Sequence, residues 1–179
     1  MDISAILSRK MEMKDVSLIV GWVSEDPSHR AVLWNHTLSE KRKTAVNALW
    51  VMTHLPECDG DWISSLRDEL ADRLIAETDT SKKRLLLQML KKQTFEPKQI
   101  RTDLLDYCLS KINSECEPYA VRCFSLYVAY NMCRHHPELI AELEGYLDVL
   151  ASQSLSPGLK SALRQTRSKI NRLSSRLRR

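Results

Sequence analysis

Two kinds of apolar segment alternate along this chain at a nearly fixed period. Residues 118–134 are apolar on more than one face, through Val121, Phe124, Leu126, Tyr127, Val128, Tyr130 and Met132. Residues 137–151 carry one stripe, Leu139, Leu143, Tyr146, Leu147 and Leu150, at spacings of 4, 3, 1 and 3. Both spacings are helical. A helix apolar on several faces must be covered on several sides, whereas a one-striped helix needs cover on one. Such a pair is half of a core and requires further pairs beside it. The chain supplies them. The broad segments align on Leu49, Leu90, Leu126 and Leu163, at periods of 41, 36 and 37. The striped segments align on Leu70, Cys108 and Leu147, at 38 and 39.

Punctuation supports the segmentation. Helices are expected over 1–12, 14–24, 27–37, 39–55, 61–74, 79–90, 96–112, 118–134, 137–151 and 156–177. Prolines 27, 97, 118, 137 and 157 then fall at helix starts and Pro56 at a helix end, so none sits in an interior, where it would cost about 3 kcal/mol. Asp26, Asp61 and Asp79 read as N-caps. The terminal helix carries Leu159, Leu163, Thr166, Ile170, Leu173 and Leu177, spaced 4, 3, 4, 3 and 4 as a heptad seam.

A helix pair repeated near every 38 residues resembles the HEAT and armadillo helical repeats over about 27–173. The resemblance implies an all-α fold, a short α-solenoid of HEAT-like hairpins, with an irregular helical bundle as the alternative. Residues 1–26 fit the repeat poorly and are expected to form a capping pair. Residues 27–155 hold the repeats, and 156–179 form a basic terminal helix of the same domain.

Composition narrows the function more by exclusion than by indication. The start, Met-Asp-Ile-Ser, lacks the basic-then-apolar order of a signal peptide, and no apolar run could cross a bilayer. Five cysteines suit reduced thiols, so a cytoplasmic location is expected. The sequence has no Gly-rich phosphate loop, G-x-S-x-G or H-E-x-x-H. Cys133-x-His135-His136 with Cys123 does not follow a zinc spacing. Neither a catalytic residue, a metal site nor a cofactor is assigned, and the chain is not expected to be an enzyme.

Charge is unevenly spread. Residues 160–179 hold eight Lys or Arg and no acid, leaving 19 basic and 23 acidic residues elsewhere out of totals of 27 and 23. Two surfaces follow. Lys160, Arg164 and Arg167 recur at i, i+4 and i+7, and Arg172, Arg176 and Arg179 repeat that spacing. Lys41-Arg42-Lys43 and Lys82-Lys83-Arg84 open successive broad helices. Aligned repeats would bring Lys82, Lys83, Lys160, Arg164, Arg167 and Arg172 into a basic ridge for an acidic partner or phosphates. The striped helices instead carry Asp68, Asp72, Asp103, Asp106, Glu142 and Asp148. In HEAT-like solenoids the second helix of a pair lines the concave face, so the resemblance implies an acidic face for a basic protein segment. The expected function is a non-catalytic scaffold for protein–protein interaction with an unknown protein partner. The alternative is a nucleic-acid-binding HEAT-like protein related to DNA alkylation repair, for which Asp61-Trp62 is the nearest match. Trp50 and Trp62 are expected in the core, and Trp34 at a partly exposed surface.

Overall fold

The computed structural model describes residues 1–98 and 100–177, the side chains of 176 and 177 excepted. Arg179, and the side chains of Arg176 and Leu177, lie outside the described residues. The described residues are helical or irregular, without a strand. The chain divides into two compact units, Met1–Leu66 and Arg67–Arg179.

The first unit contains α1 (Ile3–Ser8), α2 (Met13–Glu25), α3 (Ser28–Thr37), α4 (Arg42–Met52), a 3-10 turn at Glu57–Asp59 and α5 (Gly60–Ser65). Helix α4 is its centre and packs on α1, α2 and α3. Its Ala45, Ala48, Leu49, Val51 and Met52 are all buried. Asn47, also on α4, donates to the carbonyls of Leu7 (2.8 Å) and Arg9 (2.9 Å), which satisfies two carbonyls left open at the end of α1. Asp26 accepts from the Ser28 backbone N–H at 2.8 Å in the turn between α2 and α3, and the N-cap position of α3 is Pro27 rather than the expected Asp26.

The second unit contains α6 (Arg67–Ala76), α7 (Thr80–Leu90), α8 (Thr102–Ile112), α9 (Tyr119–Cys133), α10 (Pro137–Ala151) and α11 (Pro157–Leu177). The broad helices stack on one another, α7 on α9 and α9 on α11. The striped helices do the same, α6 against α8 and α8 against α10. That two-layer stacking of like on like is what a helical repeat produces and an irregular bundle does not. Helix α9 touches α7, α8, α10 and α11, which answers the demand its several apolar faces made. Leu85, Leu86 and Leu87 of α7 are consecutive and all fully buried. They point 100° apart around the helix, so α7 is also covered on more than one side. Each buried leucine contributes about 1.5–3 kcal/mol.

Four expected helices differ, and the one expected over 1–12 is only α1, Ile3–Ser8, closed where the Arg9 N–H donates to the Ile6 carbonyl. The helix expected over 61–74 is two helices, broken at Leu66, where the two units also meet in sequence. Ser65 Oγ donates to the Trp62 carbonyl at 2.6 Å and competes for an acceptor the continuing helix would use. Pro97 does not open a helix: α8 begins at Thr102. The preceding segment is fixed as a loop by buried Phe95, under the Arg67 guanidinium at 5.9 Å, and by Arg67 Nη1 donating to the Thr94 carbonyl at 2.9 Å. Helix α4 is shorter than 39–55, because Lys41 is extended and Thr53 turns its hydroxyl back to the Trp50 carbonyl at 2.7 Å. Trp50 and Trp62 are half-buried rather than core, as is Trp34.

Candidate functional site: a basic groove along the last helix

Of the six expected cations, four line one groove of about 890 Å³: Lys160, Arg164, Arg167 and Arg172. Helix α11 supplies all four. Its buried seam, Leu159, Leu163, Thr166 and Ile170, fixes the helix's rotation, and the cations follow on the adjoining face. The opposite wall is the end of α10 and the loop after it, with Ala151, Gln153 and Leu155. Leu155 and Leu163 make the floor partly apolar.

The loop is held by a polar network. Arg122 is 2% exposed, yet no carboxylate pairs with it among the described residues. Its Nε donates to the Ile112 carbonyl at 2.9 Å and its Nη2 to Gln153 Oε1. Gln153 Nε2 in turn donates to the Asn113 carbonyl at 3.1 Å, and Asn113 Nδ2 to the Tyr146 carbonyl at 3.2 Å. A buried guanidinium is tolerable only when its N–H groups are satisfied. Here it locks the groove wall to the ends of α8 and α10. The sequence signal for this was an arginine inside a helix that is apolar on several faces.

Within the groove Arg167 bonds Asp148 at 2.6 Å, an exposed pair worth at most about 1 kcal/mol. Lys160, Arg164 and Arg172 have no carboxylate partner among the described residues and are exposed. The other two expected cations are spent elsewhere. Lys82 pairs with Glu77 at 3.6 Å, and Lys83 with Glu117 at 2.9 Å, where Lys111 joins at 3.3 Å. Lys83 and Glu117 are 12% and 10% exposed, so this pair is internal and not part of an open ridge. Burial would raise the Glu117 carboxyl, but the hydrogen bonds and charges of Lys83 and Lys111 outweigh it and hold the group below its ordinary value.

The acidic residues are not one free face. Asp68, Asp72 and Asp103 gather on Arg101, which sequence reasoning passed over. Arg101 Nη2 lies 2.7 Å from Asp72 Oδ1 and 2.5 Å from Asp103 Oδ2, with Asp68 Oδ1 at 3.9 Å from Nη1. The Asp103 hydrogen bond, then that of Asp72, raises the guanidinium above its usual value, and Arg101 in turn lowers the Asp103 carboxyl. Asp148 is taken by Arg167, while Asp106 and Glu142 are exposed and stand apart from the Arg101 cluster. Asp61 and Trp62 do not assemble a cleft. The Trp62 ring lies 5.8 Å below the Arg30 guanidinium, which is itself bonded to buried Asp59. Among the described residues no three His, Cys, Asp or Glu side chains form a metal-holding group. Nor is any helix there long and apolar enough to cross a membrane.

Stacked helical hairpins define a helical-repeat protein. The HEAT repeat domain model matches residues 3–170, and the chain belongs to that family. The match runs from residue 3 and takes in α1 and α2. Neither the curated proteins nor the solved structures include a match to this chain.

Proposed function

We propose that this HEAT-repeat chain is a non-catalytic interaction module whose α11 groove takes an acidic, amphipathic protein segment. The observation that carries this reading is the groove's composition: an apolar floor of Leu155 and Leu163 under three cations without carboxylate partners, Lys160, Arg164 and Arg172. An amphipathic helix laid in such a groove buries its apolar stripe on the floor and sets its acids on the rim. The acidic residues of the striped helices support a partner site less well, since Arg101 and Arg167 already engage four of the six. All five cysteines are unpaired thiols, which supports a reducing, cytoplasmic location.

The test is anisotropy of a labelled helical Leu/Glu repeat peptide with the full chain, Arg164→Glu/Arg172→Glu, and Leu155→Asp. Binding should be lost in the charge variant and weakened at least tenfold in the floor variant, and it should fall with salt. Binding that survives Leu155→Asp unchanged would leave a purely electrostatic surface and defeat the groove reading. A DNA duplex that displaces the peptide stoichiometrically from the wild-type groove would transfer the site to nucleic acid.

A further inference from the structure

The three broad helices of the second unit contain no Asp or Glu at any position. They lie side by side, α7 on α9 on α11, so their shared surface has no carboxylate of its own. Along α9 run Phe124, Tyr127 and Tyr130, spaced three residues apart, about 4.5 Å per step along the axis. Phe124 and Tyr127 are half-buried and Tyr130 is 7% exposed. A lysine reaches the row from each neighbouring helix. Lys91, at the end of α7, sets its Nζ 4.7 Å from the Phe124 ring centre and 5.9 Å from that of Tyr127. Lys169, on α11, sets its Nζ 5.8 Å from Tyr127 and 5.4 Å from Tyr130. Tyr127 is therefore shared between two ammonium groups. Neither has a carboxylate partner among the described residues.

This is an unusual way to hold two cations. Burial, then the like charges of Lys92 and Lys169, keeps the Lys91 ammonium below its ordinary value. The ring faces offset part of that cost, but an anion between the lysines would offset more. Uncharged amides surround the row: Gln165 Oε1 accepts from Tyr127 Oη at 3.5 Å, and Asn131 Nδ2 donates to the Lys91 carbonyl at 2.8 Å. Lys169 leaves α11 on the α9 side, whereas the groove lies on the α10 side, so this is a second surface.

We propose that the Phe124–Tyr127–Tyr130 row, with Lys91 and Lys169, is a binding site for single-stranded nucleic acid. Phosphates would lie on the lysines, and unpaired bases would displace the lysine stems to stack on Phe124 and Tyr127. The rings favour this occupant over an acidic peptide, which has charge but no flat base to stack. They favour it equally over a duplex, whose bases are already stacked on each other.

The experiment uses the full chain and labelled oligo-dT, a duplex of equal length, and polyglutamate as competitor, across a salt series. Thermal melts by circular dichroism confirm that each variant folds. Lys91→Ala/Lys169→Ala should weaken oligo-dT about tenfold or more and reduce the salt slope by about 1.4, that is about 0.7 for each lost phosphate contact. Tyr127→Leu should weaken it about 5- to 100-fold at fixed salt, the range expected for one base stack, while Tyr127→Phe keeps binding. Arg164→Ala/Arg172→Ala in the groove should leave it unchanged. The proposal is overturned by equal affinity for the duplex, by displacement with polyglutamate at equal charge, by loss in the groove variant instead, or by no oligo-dT binding at low salt.

Discussion

Removing Arg30 should cost more than removing the acid it serves, and removing both should cost less than removing Arg30 alone. Asp59 is fully buried, and among the described residues both its side-chain bonds come from one residue: Arg30 Nε at 2.8 Å and Nη2 at 2.6 Å, each on Oδ1. Among the described residues Oδ2 has no hydrogen-bond donor. Arg30→Met therefore strands a buried carboxylate, at about 3–5 kcal/mol. Asp59→Asn leaves a guanidinium that is 30% exposed and can turn to water, at about 1 kcal/mol. In Arg30→Met/Asp59→Asn no charge is stranded, and the loss should be about 1–2 kcal/mol. A coupling of about 2–5 kcal/mol in the rescuing direction results. The scale matters, because a 66-residue unit at about 0.05–0.15 kcal/mol per residue holds about 3–10 kcal/mol in all. Trp22, Trp34, Trp50 and Trp62 all lie in Met1–Leu66, so tryptophan emission during urea unfolding reports this unit. Arg30→Met should lower the midpoint sharply, and the double variant should recover most of it. Additive single losses, or an Arg30→Met midpoint within about 0.5 kcal/mol of wild type, would refute the reasoning.

Three further outcomes are expected. Gly21 and Gly145 lie inside α2 and α10 with open space where a Cβ would stand, so Gly21→Ala and Gly145→Ala should each add about 0.5–1 kcal/mol, seen as a higher melting temperature. With Ellman's reagent at pH 8 the exposed Cys58 and Cys116 should react first and Cys123 later. Cys108 and Cys133 should wait for unfolding, since burial shields both and pushes the Cys133 thiol up to about 12. Glu117 has a folded-state pKa below its ordinary 4.5, so its ion pairs stabilise fully above that value and are lost as pH falls through the lower, folded one. Glu117→Gln should therefore flatten the acid side of the melting-temperature profile below about pH 4.5 and lower the plateau at neutral pH.

The features legible in the sequence are those set by local periodicity. Alternating broad and striped segments define α6 to α11 and the order in which they stack, and of the three expected caps Asp79 is one, its Oδ1 accepting from Ser81 and Lys82 N–H, while Asp61 lies inside α5 and Asp26 one residue before the N-cap of α3. The break at Leu66 and the late start of α8 were not legible, because each is decided by a side-chain contact that apolar periodicity does not report. Ser65 takes a carbonyl from the helix it belongs to, and Phe95 anchors the loop before Pro97 from inside the core. The destinations of the charges were hardest of all. Lys83 meets Glu117 and Arg101 meets Asp72 across 34 and 29 residues. No spacing rule reaches that far, so cations that look alike in sequence divide into an internal pair and an open groove.

The segregation of charge between the two layers is not something folding requires. A solvated helix face is served as well by Glu as by Lys, and the positive end of the helix dipole favours acids in the first turn by about 0.3–1 kcal/mol each. Helix α7 nevertheless opens Thr80-Ser81-Lys82-Lys83-Arg84, and α11 carries its cations along its whole described length without one acid. Glu77 and Glu117 compensate Lys82 and Lys83 from outside the helix, which explains how those two are tolerated. No such compensation reaches Lys160, Arg164, Arg172, Lys91 or Lys169 among the described residues, and these are the residues on the two surfaces proposed to take an anionic partner. Stability alone would have mixed the signs. A layer kept free of acids, beside a layer rich in them, is what a surface shaped by an anionic ligand would leave behind.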